Sequence, residues 1–185
     1  MTKIIFAKDV PTYRAQDSHT LRNLDQGMQK HLRFELETTP DNLLNLAIYD
    51  QQDPANSLYL VSLNRAAFDM IQNQQNLVIE QFSMLPSHLT KLFDHCIQSS
   101  HYFCAIKTIP TAEDEEDEED QTISCTIYQQ SDLSHLRHIS LNLMQASDSQ
   151  ARHWLARKQQ VAWAMLNQTT LANDTLQRKV QKAEQ

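Results

Sequence analysis

Residues 50–86 read DQQDPANSLYLVSLNRAAFDMIQNQQNLVIEQFSMLP, and this stretch decides the fold. Its residues 58–63 are apolar on both parities, which predicts a strand that is covered on both faces. Asn64 can then cap a short helix with one apolar side. Residues 77–82 predict another strand, and Pro86 begins a second helix. The stretch therefore predicts a helix-strand-helix insertion that follows a buried strand.

Alternation of apolar and polar residues predicts further strands on both sides of this insertion. Leu32, Phe34 and Leu36 alternate with charged residues, which indicates a strand with one buried and one solvated face. Four more strands are predicted at residues 44–48, 102–109, 122–128 and 139–143. The predicted fold class is therefore α+β, with a mostly antiparallel β-sandwich or barrel as the head.

The sequence changes character after Ala146. Ser147 and Gln150 have the form of a capping box, and no Pro or Gly follows them. The helix that begins here carries a heptad seam with polar interruptions. The seam consists of Leu155, Gln159, Ala162, Leu166, Thr169, Asn173, Leu176, Val180 and Ala183.

This seam predicts a parallel coiled-coil homodimer whose interface includes Leu166, Asn173, Leu176 and Val180. A polar Asn at an inner heptad position selects the register of the two helices at some loss of stability. The alternative is a single amphipathic helix that folds back on the head. We therefore divide the chain into a globular head, residues 1–146, and the start of a coiled coil, residues 147–185. The heptads reach the last residue without a stop signal, so we expect a longer protein.

A family resemblance is carried by residues spread from the quoted stretch into the second helix: Asp50, Asp53, Pro54, Leu58, Tyr59, Phe68, Gln75, Leu77, Phe82, Pro86, Leu92 and Cys96. With this spacing the segment resembles the PISA segment of the spindle-assembly-abnormal protein six family, the centriolar cartwheel protein. The resemblance extends over residues 3–185 and is weakest before Leu32. It implies a globular head followed directly by a long parallel coiled coil.

The resemblance also implies one head residue that takes part in self-association. In the family an Asn-Pro-Phe tip precedes the last head strand, and its aromatic side chain inserts into a pocket of a second head. This chain has Ser131, Asp132 and Leu133 at the tip, and His135 and Leu136 match the next family positions. Leu133 is therefore the expected head–head interface residue, in a weaker contact because Leu buries less area than Phe. The alternative is a turn residue that packs into its own core.

The function that the resemblance implies is that of a structural, self-assembling protein and not of an enzyme. Such a protein builds the ring hub and spokes of the centriole or basal-body cartwheel and contributes to its ninefold symmetry. The expected partners are a second copy through the coil, further copies through weak head contacts, and other centriolar proteins. The expected location is the cytoplasm and cytoskeleton, at the centriole or basal body. The alternatives are a flagellar paralogue, a DNA-repair scaffold with the same head-and-coil architecture, and a small cytosolic enzyme.

The formal charge of −7 arises almost entirely from residues 113–120, which read EDEEDEED. Without this run, 16 Lys and Arg face 15 Asp and Glu, and no basic stripe remains that could bind nucleic acid. We expect residues 111–121 to form a solvated, self-repelling loop between two strands. The alternative is a docking segment for a basic partner.

Several kinds of site are excluded or unsupported. Gly27 is the single glycine, so the chain cannot build a glycine-rich phosphate loop, and no serine lies in a nucleophile elbow. No apolar run approaches the ~18 residues that a membrane span needs, and the N-terminus lacks a secretory signal. We therefore expect an intracellular protein that binds no membrane and has no catalytic residue and no cofactor.

The cysteines and histidines offer the only metal-like pattern. Cys96, His101 and Cys104 are closely spaced, but no CxxC pair accompanies them, so we expect ordinary residues and no metal. The three cysteines of the chain, Cys125 included, lie in apolar or alternating contexts that suit buried, reduced thiols. His135 and His138 are three apart, which on a strand places them on opposite faces.

Overall fold

The structure, a computed structural model, describes residues 2–14, 29–109, 121–131 and 134–183. The chain divides into two compact units, residues 1–147 and residues 148–185. The first unit contains strands β1 to β7, helices α1 and α2, and a 3₁₀ turn at Phe82–Met84, and the second contains helix α3. Their bounds are Lys3–Arg14 (β1), Gln29–Thr38 (β2), Leu44–Tyr49 (β3), Tyr59–Leu63 (β4), Arg65–Gln75 (α1), Leu85–Gln98 (α2), Tyr102–Ile109 (β5), Thr122–Gln130 (β6), His135–Gln145 (β7) and Asp148–Ala183 (α3).

The seven strands close into a barrel in the order β1-β2-β3-β4-β7-β6-β5. Every neighbouring pair is antiparallel except β1 and β5, which run parallel from Thr12↔Cys104 to Arg14↔Ile106. The predicted combination of helices with a mostly antiparallel sheet, followed by a C-terminal helix, is confirmed. The single parallel pair was not predicted, because local alternation does not specify which strands become neighbours.

Helix α2 covers the core of the head. Its apolar residues recur at helical spacing, and Leu85, Leu89, Leu92, Phe93 and Cys96 are all buried. The ring of Phe93 lies 5.3 Å from the ring of Phe6 on β1 and 5.1 Å from the ring of Phe34 on β2. These tilted and edge-on contacts join the helix to β1 and β2, two strands of the barrel wall that are distant from it in sequence.

The predicted strand at residues 77–82 is wrong. Helix α1 ends at Asn76, which adopts the left-handed conformation with φ 50° and donates its N–H to Gln72 O. The chain then bends at Val78 and pairs with no strand; Val78 is exposed, Ile79 is buried, and Gln72 Nε2 donates to Ile79 O at 2.6 Å. Buried and exposed residues do alternate here, but the carbonyl of Ile79 is bonded by a side-chain amide and not by a neighbouring strand. The insertion is therefore helix, irregular connection and helix.

Strand β4 is also less covered than its apolar sequence predicts. Ser62 is exposed, and residues 59–61 are only half-buried. The reason lies in the pairing: β4 pairs with β3 along its whole length but meets β7 only at Tyr59↔Gln145 and Leu60↔Met144. The barrel is thus closed by a short seam.

The loop before β4 explains several residues of the family resemblance in structural terms. Asp50 accepts the N–H of Gln52 at 2.9 Å and forms a 2.7 Å ion pair with Lys30. These two interactions, with Lys30 the larger, lower the pKa of Asp50. Asp53 accepts from Asn56 through its carboxylate and from Ser57 through its carbonyl. The aspartates therefore shape the turn.

The side chain of Gln75 continues the short β4–β7 seam. Ser140 on β7 donates its N–H to Gln75 Oε1 at 2.8 Å, and Gln75 Nε2 donates to Ser140 O at 2.7 Å. The amide thus pairs with the backbone of β7 as a strand residue would, and satisfies groups that burial would otherwise leave unpaired.

Substituting Gln75→Ala should therefore destabilise the head by about 1–3 kcal/mol, the cost of leaving partly buried polar groups without a partner. Chemical unfolding followed by circular dichroism measures this change. Gln74→Ala is the matched control, because Gln74 is the preceding helical residue and is exposed. Equal unfolding midpoints for the two variants would contradict the role of the Gln75 amide.

Candidate self-association surfaces

Helix α3 presents its predicted seam to solvent. From Gln159 onward every described side chain of the helix is exposed, including those of Leu166 (58%), Leu176 (59%) and Asn173. Val180 lies on the helix, but its side chain falls outside the described part of the chain. Solvent exposure of large aliphatic side chains at heptad spacing is typical of a helix that pairs with another helix.

The polar residues of α3 are compatible with burial in a seam. Thr169, at a seam position, donates its hydroxyl to the carbonyl of Met165 at 2.9 Å. Thr170 and Thr175 make the same bond one turn back, to Leu166 and Leu171. Because the Thr169 hydroxyl is satisfied within its own helix, burying it in a dimer leaves no unpaired donor.

The hairpin between β6 and β7 is the second surface to consider. Ser131 donates its N–H to Ser134 O at 2.9 Å, and its hydroxyl lies 3.1 Å from that of Ser134. The preceding residue, Gln130, donates its N–H to His101 O at 2.7 Å. This bond ties the hairpin base, our name for the ends of β6 and β7 that lie next to the hairpin turn, to the turn between α2 and β5. Leu133 and Asp132 lie outside the described residues, as does the acidic run at residues 113–120.

A cavity of about 380 Å³ lies beside the hairpin base. Gln130 forms one part of its lining, and the C-terminal end of α2 and the start of β5 form others. Its apolar lining includes Ile97, Tyr102 and Phe103, and Ile97 is 38% exposed. The hairpin and an open, partly apolar cavity therefore belong to one patch of the head.

Aromatic and histidine rings pack both faces of the hairpin base against β5. The ring of Tyr102 stacks with His95 of α2, at a centroid distance of 4.8 Å, and with His138 of β7, at 5.5 Å. The ring of the next residue, Phe103, contacts His135 at 5.6 Å. Since Tyr102 and Phe103 are consecutive strand residues, the prediction that His135 and His138 lie on opposite faces is confirmed.

The three cysteines are buried and free, as predicted. The Sγ atoms of Cys104 and Cys125 lie 3.4 Å apart, and this contact, followed by burial, raises the pKa of Cys104 well above its usual range. Burial, with a smaller effect of Cys125, raises the pKa of Cys96 to about 12. Such thiols stay protonated and unreactive. Within the described ranges no three His, Cys, Asp or Glu side chains converge as metal ligands.

Thiol labelling at about pH 8 should therefore leave all three cysteines of the folded chain unmodified, because all three are buried and the thiolate of Cys96 and of Cys104 is disfavoured. Unfolding in denaturant should make all three react. A dye that reports thiol modification by absorbance measures both states. Fast labelling of Cys96 in the folded chain would show that this thiol is accessible to the dye or that its pKa is not raised.

A barrel head joined in sequence to a helix with an exposed heptad seam is the architecture of a structural protein. Residues 4–143 match the sequence model of the family described as Centriolar protein SAS N-terminal domain, and the chain belongs to this family. The family is a structural one of the centriole, so the prediction that the chain is not an enzyme is confirmed.

Individual relatives agree with this membership. The chain is 28% identical over 142 residues to the spindle assembly abnormal protein 6 homolog of Xenopus laevis, a match that covers 77% of this chain and 20% of the relative. The chain thus spans about one fifth of the length of that curated relative.

No described helix is both long and apolar enough to cross a membrane.

Solved structures show the same fold. An N-terminal fragment of Leishmania SAS-6 that contains part of its coiled coil superposes with a TM-score of 0.73 at 15% identity, covering 97% of this chain and 98% of the fragment. An N-terminal fragment of Drosophila melanogaster Sas-6, described as dimerised via the coiled-coil domain, gives 0.68 at 16% identity and coverages of 96% and 84%.

Sequence reasoning missed the pairing of the Gln75 amide with Ser140, the cavity beside the hairpin and the rings around Tyr102. Gln75 carried a signal, because it is a polar residue at the end of an amphipathic helix and belongs to the family spacing. The cavity and the ring stack carried none, because their residues come from distant strands and a helix that only the fold brings together.

Proposed function

We propose that this chain is the head and proximal spoke of a self-assembling scaffold of the centriole or basal-body cartwheel. The observation that supports this most is the combination of a head of the centriolar family with a helix whose aliphatic seam is exposed. The protein acts in the cytoplasm, within the cytoskeleton, together with other centriolar proteins. It contributes to the ninefold hub and needs neither a cofactor nor a metal.

The first assembly contact is a parallel coiled coil between two α3 helices. Leu166, Asn173, Leu176 and Val180 form its interface. The exposure of the two leucines supports this contact, since a monomer gains nothing from an aliphatic seam in water. Parallel, in-register pairing lets the two Asn173 amides meet each other, whereas other registers bury each amide against apolar groups.

Replacing Leu166→Glu should weaken the dimer at least about tenfold, because it removes two buried leucines and places two like charges opposite each other. Leu171→Glu is the matched control: Leu171 is equally aliphatic and 67% exposed, but lies off the seam. Analytical ultracentrifugation across a concentration series measures both. A Leu171 variant that dissociates as readily as the Leu166 variant would contradict the proposed seam.

The second contact joins heads through Leu133. A contact between identical heads that obeys twofold symmetry uses the same patch on each head, so the inserting residue and the receiving pocket must be neighbours. Ser131 and Ser134, which flank the tip, lie close in sequence to Gln130 of the 380 Å³ cavity. The cavity and its apolar residue Ile97 are therefore the receiving pocket that this geometry supports.

This head contact is expected to be weak because it buries a small area. A Leu side chain buries less area than the aromatic residue of the family, and an interface below ~1,200 Å² is typical of transient complexes. A dissociation constant on the order of tens of micromolar or weaker follows. Two isologous contacts, coil and head, can then alternate around a closed ring if their twofold axes meet at one centre.

Leu133→Glu should abolish assembly beyond the coil dimer without unfolding the head, because it would place a charge in an apolar pocket. Ile97→Glu should have the same effect from the pocket side. Val78→Glu is the control, since Val78 is 94% exposed on the insertion between α1 and α2. Light scattering at high concentration measures assembly, and circular dichroism checks folding. A folded Leu133 variant that still forms higher oligomers would rule out this contact.

Leu133→Phe should strengthen the head contact if the pocket accepts the larger ring, because the additional apolar area is removed from water. The same light-scattering titration should then reach half-assembly at a lower protein concentration. A variant that assembles less well would show that the pocket fits only the smaller side chain.

A further inference from the structure

Four rings from three elements meet at the base of the β6–β7 hairpin. Helix α2 contributes His88 and His95, β5 contributes Tyr102, and β7 contributes His138. His95 and His138 both stack on the ring of Tyr102, and the charge of His138 acts on His88. We call these four residues the ring clamp.

The ring clamp lies where the hairpin changes direction. The register between β6 and β7 shifts between Ile127 and Tyr128, so that Ile127 pairs with Ile139 while Tyr128 pairs with Arg137. His138 is the additional residue of this bulge, and its Nε2 lies 3.0 Å from Gln129 Oε1 on the opposite strand. A β-bulge bends the strand that contains it, so the packing of His138 affects the direction of the strand residues that lead to the hairpin turn.

The charges that act on His88 and His138 are positive. Burial chiefly lowers the pKa of His88, and His138 and Lys91 lower it further. Burial also lowers the pKa of His138, with a smaller effect of His95. The other groups that pack here are the amide of Gln129 on β6 and the phenol ring of Tyr102 on β5. The carboxylate of Asp94, which precedes His95 on α2, is paired with Lys8 at 2.7 Å, and no carboxylate is among the charges that act on His88 or His138.

We propose that the ring clamp is a pH-sensitive switch that holds the β6–β7 hairpin in the orientation needed for head-to-head contact and releases it on acidification. This inference rests on the proposed head contact at the hairpin tip. Near neutral pH His88 and His138, whose pKa values are lowered, are uncharged and pack without repulsion. When these two histidines take up protons, two positive charges share one half-buried site, and the packing of the bulge residue is weakened.

The direction of the pH effect follows from proton linkage. A histidine whose pKa is lower in the folded state than in the unfolded chain binds fewer protons when folded. Its packing therefore stabilises the fold fully above the ordinary histidine pKa of about 6.5, and this stabilisation is lost as the pH falls below that value. Head-to-head contact should weaken over the same range, because the hairpin that carries it is no longer held.

The test compares the 185-residue chain with His138→Gln, which retains an amide able to bond Gln129 but cannot take up a proton in this range. Light scattering measures head association at about pH 7.5 and 5.5. The unsubstituted chain should associate several-fold less at the lower pH, because His88 and His138, whose pKa values are lowered by burial, take up protons there. His138→Gln should lose much less association. His31→Gln, an exposed residue of β2, should behave as the unsubstituted chain.

Two outcomes separate this inference from the proposed function. Association that is present but equal at both pH values overturns the switch and leaves the head contact standing. Absence of any association at either pH overturns the head contact, and the switch, which acts on that contact, falls with it. The thermal unfolding midpoint then still tests the clamp as a pH-sensitive element: acidification should lower it less in His138→Gln than in His31→Gln.

A second variant keeps the test decisive if His138→Gln does not fold. His88→Gln removes the α2 charge that faces His138 and leaves the bulge residue in place. It should also reduce the loss of association at the lower pH. Where His138→Gln does not fold, full sensitivity to acid in a folded His88→Gln variant overturns the proposal.

Discussion

The packing of Phe93 against Phe6 and Phe34 is the interaction on which the functional part of the head depends. It fixes α2 against β1 and β2, and α2 in turn supplies the residues that face the hairpin base. The same helix provides Ile97 to the cavity beside the hairpin and His95 to the stack on Tyr102. A shift of α2 would therefore move the pocket and the hairpin support together. The core and the proposed contact surface are mechanically one unit.

The short pairing between β4 and β7 explains why the insertion makes specific contacts with the barrel. An open strand edge is a site for unwanted pairing with other chains, and natural proteins cover such edges. Here α1 covers the edge, and the Gln75 amide pairs with Ser140 in place of a strand. The stretch that carries the family resemblance thus holds the barrel closed. The stretch shows no catalytic or metal-binding motif because its residues serve to hold the barrel closed.

Local patterns in the sequence were sufficient for elements and insufficient for neighbours. Alternation located the strands around Phe34 and Ile139, and Asn64 indeed accepts the N–H of Ala67 at the start of α1. The same alternation misled at residues 77–82, because an extended segment and a strand share one pattern until a partner strand is known. The partner of Gln75 is 65 residues away in sequence, and nothing local encodes it.

The candidate contact surfaces were predictable to different degrees for the same reason. The heptad seam is a local signal, so Leu166, Asn173 and Leu176 could be named from spacing alone. Leu133 came from the family resemblance, and the pocket proposed for it could not be named from the sequence, because Ile97 and Gln130 meet only through the barrel and α2. A surface built from several elements becomes visible only when the fold has brought those elements together.

The chemistry of both proposed contacts favours reversible assembly. The coil seam places Thr169 and Asn173 among its aliphatic residues, and the head contact relies on one Leu side chain, so each contact is weaker than an apolar optimum. A ring assembled from very strong contacts would trap subunits that join in a wrong geometry, because they could not leave. Weak contacts reverse quickly, and closure of the ring adds stability only when all of them fit, since the last contact forms within one molecule at high effective concentration. Polar residues in the seam and a small residue at the tip therefore suit a scaffold whose accuracy depends on correcting its own errors.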